Sequence, residues 1–102
     1  ALGPEFVCGA TSDYGIAYAY AEVIGETRGE MRLVVDRDVR MEVWVNGALV
    51  YSSLESGEDK PSMYMKLGKN IVLVKLYKVP GPFSFKLTFE VKKEPVQFRW
   101  WK

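Results

Sequence analysis

The chain has 102 residues, room for one hydrophobic core and too few for two ordinary domains. Hydrophobic residues make up 48% and charged residues 26%, a balance that excludes wholesale disorder. A net charge of +1, with bases interleaved among acids, gives no electrostatic footprint for nucleic acid, and no apolar run approaches the ~20 residues of a membrane span.

Ala1-Leu2-Gly3-Pro4-Glu5-Phe6 reads as a cloning scar and is left out of the fold reasoning. The remainder, 7–102, reads as a single module cut from a longer protein. Cys8 is the only cysteine, so no internal disulfide exists, and it falls at the start of the module.

Turn signals then recur at short spacing, the mark of a sandwich or barrel of short strands. Tyr14–Ile24 is alanine-rich, but its tyrosines, Val23 and the flanking glycines suit a long first strand. Glu30–Val35 alternates with Met31, Leu33 and Val35 on one face. Val39–Val45 puts Val39, Met41, Val43 and Val45 on one side and Arg40, Glu42 and Trp44 on the other. Asn46-Gly47 follows, a pair that tolerates the φ > 0 a type I′ turn needs at both central positions, and Ala48–Ser52 returns from that hairpin.

Ser53–Lys60 is the longest acidic, polar connection and the one expected to move most. Ser62–Leu67 groups Met63, Met65 and Leu67. Ile71–Lys78 is apolar on both faces, which predicts a central strand covered on both sides. Phe83, Phe85, Leu87, Phe89 and Val91 form an unbroken stripe that must bury against a second sheet, and Val96–Trp101 is expected to close an edge. The fold class is therefore all-β: an antiparallel two-sheet β-sandwich, jelly-roll-like, of about eight strands.

Three segments in order carry a family resemblance: Asp36-Arg37-Asp38-Val39, the hairpin Val43–Val50, and Met65-Lys66-Leu67-Gly68-Lys69-Asn70-Ile71-Val72 continuing to Gly81–Leu87. Together they resemble the carbohydrate-binding-module-like jelly-roll accessory domains of secreted glycoside hydrolases and related extracellular proteins. The resemblance implies a β-sandwich in the extracellular space or cell envelope. Some such modules bind glycans, some bind calcium, and many only support a neighbouring catalytic domain. Their sugar-contacting residues vary, so none is carried over to this chain.

Candidate chemistry rests on the aromatics. Trp44, Trp100 and Trp101, with Tyr14, Tyr18, Tyr20, Tyr51, Tyr64 and Tyr77, supply flat faces that stack on the apolar faces of sugars. The expected polysaccharide site is Trp44 with Tyr51 and Tyr64 as stacking contacts and Glu42 or Arg40 as its hydrogen-bonding rim. The alternative is a structural or protein-interaction domain whose tryptophans pack against a neighbouring domain or a second copy in a homodimer. Asp36 and Asp38 offer two carboxylates toward calcium, fewer than a dedicated loop, and equally suit an Asx-type turn. The chain has no histidine and no Ser-x-x-Lys arrangement, so it does not read as an enzyme. Side-chain amides are few, only Asn46, Asn70 and Gln97, and charged residues plentiful, a composition that leans toward a thermophilic source.

Overall fold

A computed structural model describes residues 6–8, 15–53, 57–90 and 95–100. They form ten strands and no helix: β1 (Phe6–Cys8), β2 (Gly15–Gly25), β3 (Gly29–Arg37), β4 (Arg40–Val45), β5 (Ala48–Ser52), β6 (Gly57–Asp59), β7 (Ser62–Met65), β8 (Gly68–Lys78), β9 (Phe83–Phe89) and β10 (Arg99–Trp100). All pairings are antiparallel. One sheet runs β1-β9-β3-β6, with β7 also on β3; the other runs β10-β2-β8-β4-β5. The chain changes sheet at each connection except the β4–β5 hairpin and β6–β7, which is the winding of a jelly roll.

Period-2 alternation builds the core. Phe83, Phe85, Leu87 and Phe89 are buried from one sheet and Met41, Val43, Val72, Val74 and Leu76 from the other. The tail seals one edge. Val96 donates its N–H to the Leu87 carbonyl at 2.7 Å, Phe98 meets Phe85 edge-on with ring centroids 5.2 Å apart, and Arg99–Trp100 then pairs with β2 in the opposite sheet. Of the expected edge-closing strand Val96–Trp101, only Arg99–Trp100 pairs as a strand among the described residues, after the tail has crossed from one sheet to the other.

Several expectations are corrected. Phe6–Cys8, where no strand was expected, pairs with β9. The 53–60 connection is not all loop: Ser53 is buried and Gly57–Asp59 pairs with β3. Leu67 does not join Met63 and Met65 but lies 65% exposed, because the chain turns there into Gly68 at φ 92°. Strand β8 is central, between β2 and β4, yet its outer face is uncovered: Ile71 is 40% exposed. Tyr14, Val91 and Trp101 lie outside the described residues.

The Asn46-Gly47 turn forms as expected, with φ 52° and 85°. It is bound to the other Gly-Asn turn of the chain. Asn70, completely buried, donates through Nδ2 to the carbonyls of Val23, Lys66 and Gly68 and accepts at Oδ1 from Lys66 N–H and from Asn46 Nδ2. Asn46 Oδ1 in turn accepts from Ile71 N–H at 2.9 Å. One amide therefore ties together the ends of β2, β4 and β7 and the start of β8. Gly25 belongs to the same end, where a Cβ would collide with the Lys66 carbonyl oxygen.

Candidate functional site

The outer face of the β10-β2-β8-β4-β5 sheet carries the aromatics. Ala17, Ala19 and Ala21 turn inward from β2, so Tyr18 and Tyr20 turn outward; Met41, Val43 and Val45 turn inward from β4, so Arg40, Glu42 and Trp44 turn outward. Register then sets rows across the strands. Tyr20, Leu73, Trp44 and Leu49 make one row; Tyr18, Lys75 and Glu42 make the next; Ile16, Tyr77 and Arg40 make a third. Two strand spacings separate Tyr20 from Trp44, about 10 Å.

Tyr77 is the fixed point of this face. Its hydroxyl donates to Glu42 Oε1 at 2.7 Å. The Arg40 guanidinium sits 4.9 Å and the Lys75 ammonium 5.2 Å from its ring centroid, both within cation–π range. A hydrogen bond to Tyr77, with smaller contributions from the neighbouring tyrosines and Glu42, holds Lys75 above its ordinary value. The ammonium thus stays charged throughout the neutral and mildly alkaline range. Beside Tyr20, where the tail joins β2, a groove of about 410 Å³ is lined by Ala21, Glu22, Gln97 and Arg99.

The expected site residues divide. Trp44, Glu42 and Arg40 share the outer face just described, and Trp44 is half-buried. Tyr51 does not join them. It is 8% exposed and faces the interior, and the reason is a bulge: Tyr51 opposes Val43 while Leu49 opposes Trp44, leaving Val50 as the extra residue. In an unbroken two-residue hairpin Tyr51 would stand opposite Glu42, on the outer side.

Instead the Tyr51 hydroxyl accepts from Arg37 Nε at 2.6 Å and donates to Asp59 Oδ2 at 2.7 Å. The buried Arg37 also approaches Asp59 Oδ2 at 3.8 Å. This Arg37–Tyr51–Asp59 cluster holds β6 against β5 and is structural in geometry. Sequence reasoning passed over Arg37, although same-face alternation with Leu33 and Val35 marks it as inward-pointing.

Tyr64 is 55% exposed on β7, in the other sheet, where with Lys66 it borders a groove of about 230 Å³ against Val45, Ala48 and Val50. Trp100 packs partly buried against the core.

The aspartates do not converge. Asp38 Oδ1 accepts from Ser84 N–H at 2.7 Å, and Asp38 N–H donates to the Ser84 carbonyl, so this side chain fastens the β3–β4 link to β9. Asp36 lies within β3, in register with Lys86 and Glu58. Among the described residues no group of three or more potential metal ligands forms. No protein-family model, curated protein or solved structure matches the chain.

Proposed function

We propose that this domain is a non-catalytic accessory module of an extracellular or cell-envelope protein, holding polysaccharide on the outer face of its β10-β2-β8-β4-β5 sheet. The supporting observation is the convergence there of Trp44, Tyr18, Tyr20 and Tyr77 with Arg40, Glu42 and Lys75. Aromatic faces shed water onto the C–H faces of sugar rings, and charged groups between them hydrogen-bond the hydroxyls. Cross-strand pairing holds these side chains on a rigid sheet, which lowers the ordering cost of binding.

A second reading has its own observation. Ile16, Ile24, Leu49 and Ile71 are each 40–56% exposed on the same face, and aliphatic groups favour a protein neighbour over a sugar. That neighbour would be an adjoining domain of the parent protein or a second copy.

Titrating soluble polysaccharides while following tryptophan fluorescence, alongside affinity electrophoresis, separates the readings. The glycan reading expects a saturable shift and retardation with at least one polysaccharide, both moved to about tenfold higher polysaccharide concentration in Trp44→Ala. No shift and no retardation across neutral and acidic polysaccharides overturns it. A concentration-dependent dimer in sedimentation that Leu73→Lys dissociates supports the second.

A further inference from the structure

Asn-Gly is the dipeptide most prone to deamidation, because glycine leaves its own amide nitrogen unshielded. We propose that Asn46 is a deamidation site that the fold keeps closed, with Asn70 as its lock. The inference is independent of what the domain binds.

In the open state the Gly47 backbone nitrogen, having given its proton to hydroxide, bonds to the Asn46 side-chain carbonyl carbon. The bond from that carbon to Nδ2 breaks, and the nitrogen takes a proton from water and leaves as ammonia. Water then adds across either C–N bond of the cyclic imide, leaving an aspartyl or isoaspartyl residue at position 46.

The folded chain blocks the first step. To reach Gly47 N, the Asn46 carboxamide must leave two partners at once: Asn70 Oδ1, to which its Nδ2 donates at 2.9 Å, and Ile71 N–H, which donates to its Oδ1 at 2.9 Å. Its backbone N–H is also held, by the Ile71 carbonyl at 2.8 Å. Asn70 cannot swing aside, since it is completely buried and bonded to Val23, Lys66 and Gly68. The side chain of Asn46 is nonetheless solvent-exposed, so water and hydroxide reach it as soon as the turn opens.

Closure does not repair the product. A carboxylate at position 46 has no N–H for Asn70 Oδ1, which places two acceptors face to face. An isoaspartyl linkage adds a methylene to the backbone of a two-residue turn that has no slack for it. The modification is therefore one-way and loosens the hairpin next to Trp44.

The test is peptide mapping of the purified protein during incubation at mildly alkaline pH, folded and in concentrated guanidinium. Conversion at position 46 is expected to be about tenfold or more slower in the folded protein, the ratio reporting local opening. In the denatured chain Gly47→Ala slows it, which assigns the nucleophile. Asn70→Ser accelerates it in the folded protein. Should that variant not fold, sub-denaturing guanidinium on the unaltered chain takes its place, and the rate must rise before global unfolding does. Equal rates in folded and denatured protein overturn the closed site, and a folded Asn70→Ser variant with unchanged rate overturns the lock.

Discussion

The two sheets share a core but present opposite outer surfaces. On the sheet built around β3 and β9, the outward positions are Glu30, Arg32, Val34 and Asp36 on one strand and Ser84, Lys86 and Thr88 on the other, an ordinary solvated face. On the sheet built around β2 and β8, they are Ile16, Tyr18, Tyr20, Glu22 and Ile24 on one strand and Lys69, Ile71, Leu73, Lys75 and Tyr77 on the other, with Arg40, Glu42, Trp44 and Leu49 on the flanking strands, so aromatic and aliphatic groups stand among the charges. Folding stability explains the inner faces of both sheets alike, since each must bury a stripe. It does not explain the outer difference, because an exposed isoleucine or tyrosine contributes little to a core. The contrast is the observation on which the proposed binding face rests.

Five substitutions break or sharpen that contrast. Asn70→Ala carries the largest effect, a loss of about 3 kcal/mol in chemical denaturation, because it leaves Lys66 N–H, the Asn46 carboxamide and three carbonyls without their partner. It acts on the end of the aromatic sheet, so heteronuclear spectra should show β2, β4 and β8 disturbed more than β3 and β9. Tyr51→Phe comes next, at about 2 kcal/mol, since Arg37 Nε stays buried with nothing to donate to. Its polysaccharide binding, followed by tryptophan fluorescence, should match the unaltered chain, separating the interior tyrosine from the surface ones.

Trp44→Ala is expected to weaken binding by about 1–2 kcal/mol, measured by titration calorimetry. The matched Tyr64→Ala, on the other sheet, should leave binding unchanged and stability within about 0.5 kcal/mol. The smallest effect concerns pH. Lys75 is raised by its hydrogen bond to Tyr77, so its contribution is fully present below 10.5 and fades as pH climbs through the higher folded value. Melting curves above that pH should fall less steeply in Tyr77→Phe than in the unaltered chain.

Much of this molecule is legible before any coordinates are known, and the boundary of legibility is physical. Phe83–Phe89 and the Asn46-Gly47 turn are local: alternation and positive φ depend on a few adjacent residues. The three outward residues of β4 were legible for the same reason. Tyr51 was not, because one inserted residue at Val50 reverses the side on which every later side chain falls, and nothing adjacent announces it. The bare outer face of β8 was equally hidden. A strand apolar on both sides reads the same whether a second layer covers it or a binding partner does, and only the winding of the whole chain decides.

That winding also sets when the protein can exist. Phe6 pairs with Phe85, and Ala19 with Trp100, so strands made early wait for strands made about 80 residues later. Between those moments β2 has neither of its neighbours, and β3 lacks β9. Such long-range closure places folding in the millisecond-to-second range rather than microseconds. A chain emerging from the ribosome therefore carries its tyrosine- and isoleucine-rich strands unpaired for seconds, at synthesis rates of about 5–20 residues per second. The interval in which this domain is most open to misassembly falls before β8, β9 and β10 have joined their partners.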